Sequence, residues 1–358
     1  MAVRALQIFA GPLARAHLQR EGLQPQAVGV VPAAAGGPKG LILGPLDRFL
    51  FADWLPRGGH TVDLVGASIG AWRMATACLR EPLPAFERLE RDYIAQHYEV
   101  PPGRKRPPPE QVSERFGHSL QAFYGGRINE VLAHPRWRLH IVTSRGRHVL
   151  GREGPWRTPL GYAGAYLSNA VQRRAMGAWL ERVVFSAGGA ALPFAAHDYH
   201  TRQLPLRSDN FMPALQASCS IPFVLRAVTA IPGAPAGAYW DGGITDYHLH
   251  LAWRPERGLV LYPHFQRQVV PGWLDKALKW RHHSSPFLDR TIVLAPHPDW
   301  VRRLPNGKLP DRSDFLRYGA DLPGRMRAWQ SAVAASQQLA DEWAAWLQRP
   351  DPAQVLPL

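Results

Sequence analysis

A serine between two glycines offers the first candidate chemistry in this sequence. Residues 66–70 read GASIG and fit the pattern GxSxG, with Ser68 at the centre and Gly66 and Gly70 on either side. Where this pattern is catalytic, the serine occupies an abrupt strand-to-helix turn, and small neighbours leave its hydroxyl free to attack a carbonyl. A chain of this length shows such a match by chance about one time in ten. Ser68 is therefore also open to interpretation as the N-cap of an ordinary helix.

A second glycine turn precedes this serine. Residues 36–40 read GGPKG, and the backbone N–H groups of adjacent glycines can approach an anion closely. Proline has no N–H, so the candidate donors are Gly36, Gly37 and Lys39. The segment lacks the ending and spacing of a Walker phosphate loop. Two interpretations stay open, an oxyanion hole that stabilises a tetrahedral intermediate and a simple tight turn.

An aspartate follows an apolar segment much later in the chain. Residues 239–243 read YWDGG, so Asp241 precedes Gly242 and Gly243. An aspartate before glycines is common in turns. A carboxylate at a strand end among aromatic side chains is also a candidate general base, because desolvation raises its proton affinity.

These motifs fall at predicted corners between strands and helices. Apolar runs predict strands over residues 28–32 and 61–65, each followed by a glycine turn and then by a helical pattern, over residues 41–51 and 69–79. The repeated order of strand, turn and helix predicts an α/β fold with a parallel sheet covered by helices. Further strands are predicted at residues 137–143, 183–185, 237–240, 258–262 and 291–295, and a further helix at residues 165–182.

Two other segments have distinct patterns. Residues 97–126 look irregular around the sequence PPGRKRPPPE, because three successive prolines exclude a helix. We expect a surface excursion or a lid-like insertion there. Residues 322–347 carry one stripe of hydrophobic side chains at spacings of four and three, which predicts a long helix that packs against the body of the protein.

Composition narrows the class of protein. The 358 residues carry a net charge of +14 and two cysteines, Cys78 and Cys219. The cysteine spacing suits neither a metal site nor a disulfide framework, and residues 1–22 make a poor signal peptide, so we expect a cytoplasmic protein. No apolar run reaches the roughly 18 residues that a spanning helix needs. The charge permits an anionic partner, but no nucleic-acid module is recognisable, so none is expected.

Taken together, the three motifs resemble those of the patatin-like phospholipase family. That family has a glycine-rich oxyanion loop of the form DGGGxRG, then a GxSxG serine, and later an aspartate in DGG or DGA. Here AAGGPKG, GASIG and DGG occur in the same order, and residues 214–228, ALQASCSIPFVLRAV, are similar to the small-residue stretch before the family's aspartate. The resemblance spans residues 28–245.

The resemblance implies a three-layer α/β/α fold with a mostly parallel central sheet. It implies one patatin-like domain over residues 1–358, with a core at residues 28–265, the irregular insertion at residues 97–126 and a C-terminal helical cap at residues 320–348.

The resemblance also implies a lipid acyl hydrolase that needs no metal or other cofactor. Ser68 would attack an ester carbonyl, and Asp241 would take the proton and later activate water. The N–H groups of Gly36 and Gly37 would bind the oxyanion. The expected partners are a lipid or other acyl-ester substrate and the surface of an anionic membrane.

The sequence departs from the family pattern at three places. Ala34 and Ala35 replace the leading aspartate and first glycine of the oxyanion loop, and Lys39 stands where arginine is usual. After the aspartate motif, residues 244–248 read ITDYH, where the family often continues toward asparagine and proline. Substrate preference therefore does not carry over.

Three alternatives remain at this stage. The sequences HDYH at residues 197–200 and DYHLH at residues 246–250 could supply metal ligands, with Asp241 and His248 in the set. His248 could instead serve as the base in a triad with Ser68. The third alternative is a non-catalytic lipid or membrane binder. Residues 271–283, PGWLDKALKWRHH, predict either contact with anionic lipid or a solvated basic helix.

Overall fold

The computed structural model describes residues 3–104, 106–255 and 258–358. In these ranges the strands are β1 (Leu6–Ala10), β2 (Val28–Ala33), β3 (Val62–Ala67), β4 (Trp137–Gly146), β5 (Leu180–Ser186), β6 (Phe194–Ala195), β7 (Thr201–Pro205), β8 (Tyr239–Asp241), β9 (Ala252–Trp253), β10 (Leu259–Pro263), β11 (Thr291–Pro296) and β12 (Val355–Pro357). The α-helices are α1 (Pro12–Glu21), α2 (Gly44–Phe49), α3 (Ile69–Ala77), α4 (Pro82–Ile94), α5 (Pro109–Tyr124), α6 (Ile128–Leu132), α7 (Arg157–Val171), α8 (Phe211–Cys219), α9 (Gly243–Asp246), α10 (Pro298–Val301), α11 (Ser313–Tyr318) and α12 (Leu322–Gln348).

One large sheet forms the centre of the described chain. Its strand order is β12-β1-β11-β10-β2-β3-β4-β5-β7, and β8 pairs with β4 beside this path. Six of the strand pairs are parallel and three are antiparallel. Every residue of β2, β3 and β10 is buried, as expected for parallel strands whose two faces are covered by other elements. The predicted α/β fold with a mostly parallel sheet flanked by helices is confirmed.

The edge of the sheet extends beyond the predicted core. No strand was predicted in residues 1–22, but β1 lies between β11 and β12. The Glu342 carboxylate on α12 accepts hydrogen bonds from the N–H groups of Ala5 and Leu6, and this fixes the start of β1. Strands on both sides of residues 28–265 therefore belong to the same sheet.

Several predicted boundaries are wrong. The chain is irregular at residues 96–104 and 106–108, but residues 109–124 form helix α5. Proline is tolerated in the first turn of a helix, so the prolines start α5 instead of excluding it. Residues 41–51 divide among a 3₁₀ run, α2 and a π-helical turn. In residues 165–182, α7 ends at Val171, and a 3₁₀ turn leads to β5.

The predicted C-terminal helix is confirmed as α12. Its buried stripe includes Trp329, Trp343 and Trp346, and Trp343 packs edge-on against Trp54 with ring centres 6.4 Å apart. Across the described ranges, no helix combines the length and hydrophobicity needed to cross a membrane.

Candidate functional site

Two strands end next to each other on one edge of β4. Strand β3 runs parallel to β4, and its last residue, Ala67, pairs with Val142. Strand β8 runs antiparallel to β4, and its last residue, Asp241, pairs with Thr143, one position further along. The carboxyl ends of β3 and β8 therefore meet head to head, and Ser68 follows directly at that point.

Ser68 occupies a strained turn between β3 and α3. Its backbone angles are φ 57° and ψ −130°, a conformation that costs a non-glycine residue about 1–3 kcal/mol. Its N–H donates to the Ser218 hydroxyl at 3.0 Å, and this hydroxyl donates to the Val142 carbonyl at 2.7 Å. The Ser68 hydroxyl donates to Asp241 Oδ2 at 2.6 Å. The serine side chain thus bonds the aspartate instead of capping α3.

Asp241 is held by hydrogen bonds to both of its carboxylate oxygens. Oδ1 accepts from the Gly243 N–H at 2.7 Å, and Oδ2 accepts from Ser68. Burial raises the pKa of Asp241, while the Ser68 hydrogen bond, the charge of Arg312, the Gly243 N–H and the charge of Lys276 oppose this rise. The carboxylate therefore has a higher proton affinity than an exposed aspartate, as a general base requires.

The glycines of the two motifs permit close backbone contacts. A Cβ atom on Gly70 would lie 1.9 Å from the Ala33 carbonyl oxygen, and one on Gly242 would lie 2.2 Å from the Val142 carbonyl oxygen. Side chains at these positions would push α3 away from β2 and would move the turn after Asp241 away from β4. A Cβ on Gly66 would lie 2.4 Å from Ala71 Cα, and one on Gly243 would lie 2.6 Å from the Ala35 side chain.

The predicted oxyanion loop and Ser68 line the same two pockets, with Gly37 in one and Gly36 and Lys39 in the other. Gly37 has φ 58°, a backbone conformation that favours glycine. A Cβ on Gly36 would lie 2.5 Å from the Phe265 ring, which the Lys39 ammonium approaches to 5.4 Å from its centre. Burial lowers the pKa of Lys39, although the charge of Asp311 opposes this. The donor roles of Gly36, Gly37 and Lys39 stay predictions.

Ser68 opens onto a cavity of about 800 Å³, within the size range of small-molecule binding sites. Its walls come from α3, α5, the segment after α8, and the region around the start of α12. Most of the lining side chains are hydrophobic, among them Ile69, Trp72, Val112, Phe116, Ile221 and Leu225. A lining of this kind suits an apolar ligand.

A second pocket, of about 270 Å³, also borders Ser68 and contains Asp241. Its described lining carries three basic side chains, Lys39, Lys276 and Arg312, and two acidic ones, Asp241 and Asp311. The pocket therefore has a positive net charge. The Lys276 ammonium lies 4.1 Å from the centre of the Tyr247 ring. Desolvation, together with the charges of Lys39 and Arg312, lowers the pKa of Lys276 to about 8.

Sequence reasoning missed some of these residues. The sequence marks Lys276 only as a basic residue of segment 271–283, for which a solvated helix is the alternative interpretation. The structure has two 3₁₀ turns there, Trp273–Asp275 and Lys279–Arg281. Buried Asp275 binds Arg173 and Arg281, and this ties the segment to neighbouring elements. Arg312 follows no motif, and only the tertiary fold brings it to the site.

The histidine and acidic clusters make other contacts. Asp198 and Asp246 both pair with buried Arg182. His248 is buried, its Nδ1 accepts from the Val270 N–H at 3.0 Å, and burial lowers its pKa. Its ring stacks on Tyr247. Among the described residues, no three of the His, Cys, Asp and Glu side chains are grouped to hold a metal ion.

No family model and no curated protein matches the sequence. Among solved structures, the chain is similar to human GIVD cytosolic phospholipase A2, with a TM-score of 0.44 and 12% sequence identity. The match covers 96% of this chain and 63% of that chain, so the protein spans less than two thirds of that structure's length. A likeness this distant carries no information on activity.

Proposed function

We propose that the protein is a serine hydrolase that cleaves acyl esters of lipids, with Ser68 as the nucleophile and Asp241 as its base. One observation carries this proposal. The Ser68 hydroxyl, at a turn with φ 57°, donates a 2.6 Å hydrogen bond to the buried carboxylate of Asp241. A strained serine bonded to a base of raised proton affinity is the arrangement that nucleophilic catalysis needs.

The reaction proceeds through an acyl-enzyme. Asp241 takes the hydroxyl proton as Ser68 Oγ attacks the carbonyl carbon, and the carbonyl oxygen becomes an oxyanion. The N–H groups of Gly36 and Gly37 and the positive end of α3 stabilise this charge. Collapse of the intermediate breaks the ester bond, and Asp241 returns the proton to the departing alcohol. Asp241 then deprotonates water, which attacks the acyl carbon. The bond between this carbon and Ser68 Oγ breaks, the acid is released, and Asp241 returns the proton to Ser68 Oγ.

The two pockets separate the parts of the substrate. The cavity of about 800 Å³ accepts the acyl chain, because its lining is mostly hydrophobic. The pocket of about 270 Å³ accepts the alcohol part, since it contains Asp241, which protonates that group. The cations of this pocket favour an alcohol part with negative charge.

A non-catalytic lipid binder is the second candidate. The large apolar cavity favours it, because such a cavity would hold a lipid whether or not Ser68 reacts. The two candidate functions differ in whether the Ser68 hydroxyl reacts with an ester.

Covalent labelling by a fluorophosphonate tests the proposal. We expect the wild-type protein to be labelled at Ser68, located by peptide mass spectrometry, and the Ser68→Ala variant to remain unlabelled. A panel of acyl esters should be hydrolysed by the wild type only. If the wild type is neither labelled nor active on any ester while it still binds lipid, the protein is a binder.

A further inference from the structure

Helix α7 presents a hydrophobic face to solvent. Trp156, just before the helix, is 79% exposed, and Leu160, Leu167 and Val171 are 66%, 65% and 88% exposed. Their spacings of four, seven and four place them on one side of the helix. The other side is packed against the protein, as shown by buried Tyr162, Ala165 and Asn169. Contiguous exposed hydrophobic surface of this kind indicates an interaction site.

The exposed face continues beyond the helix at one place. Near its C-terminal end, Arg281 donates to the Ala170 carbonyl at 3.2 Å, so Trp280, which is 65% exposed, lies beside this end. On the packed side of the helix, the Tyr162 ring lies 6.1 Å from the ring of Phe223. Phe223 is 52% exposed and also lines the large cavity. The packed side of α7 therefore contacts the cavity wall.

We call the exposed side chains of this region the docking face. Its members are Trp156, Leu160, Leu167, Val171 and Trp280.

The charges around the docking face are mainly positive. Residues 154–180 contain no aspartate or glutamate, and Arg157, Arg174 and Lys279 are exposed. The acidic groups nearby are paired, because buried Asp275 binds Arg173 and Arg281. At the other end of α7, Glu153 pairs with Arg226. A hydrophobic face thus lies within a basic rim.

We propose that the docking face binds the surface of a bilayer that contains anionic lipids. Leucine and valine side chains suit the outer hydrocarbon region, and tryptophans at the edges suit the headgroup level. Exposed arginine and lysine side chains suit anionic headgroups. Because the packed side of α7 contacts Phe223 of the cavity wall, this contact would bring the large cavity close to the source of lipid. It differs from the lipid contact that was one of two interpretations of residues 271–283, because of that segment only Trp280 belongs to the docking face and only Lys279 to its basic rim.

Vesicle binding tests this proposal without catalysis. The full chain with Ser68→Ala is sedimented with vesicles of phosphatidylcholine alone and of phosphatidylcholine mixed with phosphatidylglycerol. We expect tighter binding to the mixed vesicles. The double change Leu160→Glu and Leu167→Glu should weaken this binding at least about tenfold, since it replaces two inserted side chains with charges that anionic lipid repels. Leu13→Glu, at a 48% exposed leucine of α1, is the matched control and should bind unchanged.

A second pair of changes tests the basic rim and does not depend on the folding of the first variant. Arg174→Gln and Lys279→Gln should each weaken binding to the mixed vesicles about fivefold, and binding to phosphatidylcholine alone should change little. Circular dichroism and the thermal midpoint check that each variant is folded.

Three outcomes would overturn the proposal. The first is that the Ser68→Ala chain, whose docking face is unaltered, binds neither kind of vesicle. The second is binding that neither the leucine nor the basic variants weaken. The third is a dimer in solution that the leucine variant dissociates while vesicle binding is unchanged, because the docking face would then bind a second copy of the chain.

These outcomes are distinguishable from failure of the proposed hydrolase function. With Ser68 intact, the leucine variant should hydrolyse a soluble short-chain ester at the wild-type rate. A wild type that binds the mixed vesicles but hydrolyses no ester would contradict the hydrolase function and leave the docking face supported.

Discussion

Ser68 and Asp241 are 173 positions apart in the sequence, yet the Ser68 hydroxyl lies 2.6 Å from the Asp241 carboxylate. If Asp241 is the base, Asp241→Asn should lower kcat by about 100 to 10,000-fold and change KM little, because the amide keeps the shape and cannot take a proton. Steady-state kinetics on a soluble ester measure this. The control is Asp209→Asn, at an exposed acid, which should leave kcat unaltered. Wild-type turnover by Asp241→Asn would contradict the assigned role.

The pH dependence of activity should change when the charge of Arg312, beside Asp241, is removed. The base must be ionised, and burial raises its pKa, so activity should disappear on acidification at a higher pH than for an exposed aspartate. Arg312 favours the ionised carboxylate, so Arg312→Gln should raise the pKa further and move the acidic limb of the kcat/KM profile to higher pH. High salt should reduce the shift. Arg317→Gln, on α11, is the control, and an acidic limb that stays in place or moves to lower pH in the Arg312 variant would refute the coupling.

Lys276 should limit substrate binding on the alkaline side. Its pKa is lowered to about 8, so its charge is present below this pH and is lost above it. For two esters with the same acyl chain, one with a phosphate-bearing alcohol and one with a neutral alcohol, we expect KM of the first alone to rise above pH 8. Lys276→Met should give the high KM at every pH. Equal pH dependence for both esters would show that Lys276 does not contact the alcohol part.

The strained turn at Ser68 should cost stability. Ser68→Gly and Ser68→Ala both remove the hydroxyl, but only glycine adopts φ 57° without strain. The glycine variant should therefore be more stable than the alanine variant by about 1 kcal/mol in urea denaturation. Ser119, exposed within α5, is the matched control, and there glycine should be the less stable of the two. An alanine variant of Ser68 at least as stable as the glycine variant would mean that the turn is unstrained.

Even alanine at position 70 should destabilise the folded protein. In Gly70→Ala, the new Cβ would lie 1.9 Å from the Ala33 carbonyl oxygen, so α3 and β2 would have to separate. We expect a loss of about 2–4 kcal/mol in the free energy of unfolding. The control is Gly151→Ala, where the nearest atom to the new Cβ is 3.7 Å away and the change should stay below about 1 kcal/mol. Thermal unfolding followed by circular dichroism compares the two variants.

Local patterns predicted the part of the site that depends on neighbouring residues. The apolar run before Gly66 and the helix-forming residues after Ser68 predicted a strand and a helix, and β3 and α3 confirm both. The aspartate motif predicted a strand end, and β8 ends at Asp241. These elements were predictable because each depends on a pattern of apolar residues and on a glycine turn that lie within a few residues of each other in the sequence.

Features that depend on distant contacts were not predictable in the same way. Nothing near Arg312 in the sequence indicates that it reaches Asp241, and β1 is a short strand whose identity depends on pairing with β11 and β12. Segment 271–283 has a helical composition, but ion pairs to buried Asp275 tie it to the rest of the fold. The single-domain organisation and the cytoplasmic location stay predictions.

Strands β3 and β8 pair with the same edge of β4, and this has a consequence for how new substrate specificities could arise. Ala67 and Asp241 take their positions from β4, whereas the large cavity is walled mostly by α3, α5 and residues 96–100, 106–107, 221–225 and 312–325. The loops and helix ends that form these walls can be lengthened, exchanged or grafted from another protein without moving the strands that hold Ser68 and Asp241. Directed evolution of acyl-chain selectivity should therefore start in these loops, with β3, β4 and β8 left unaltered.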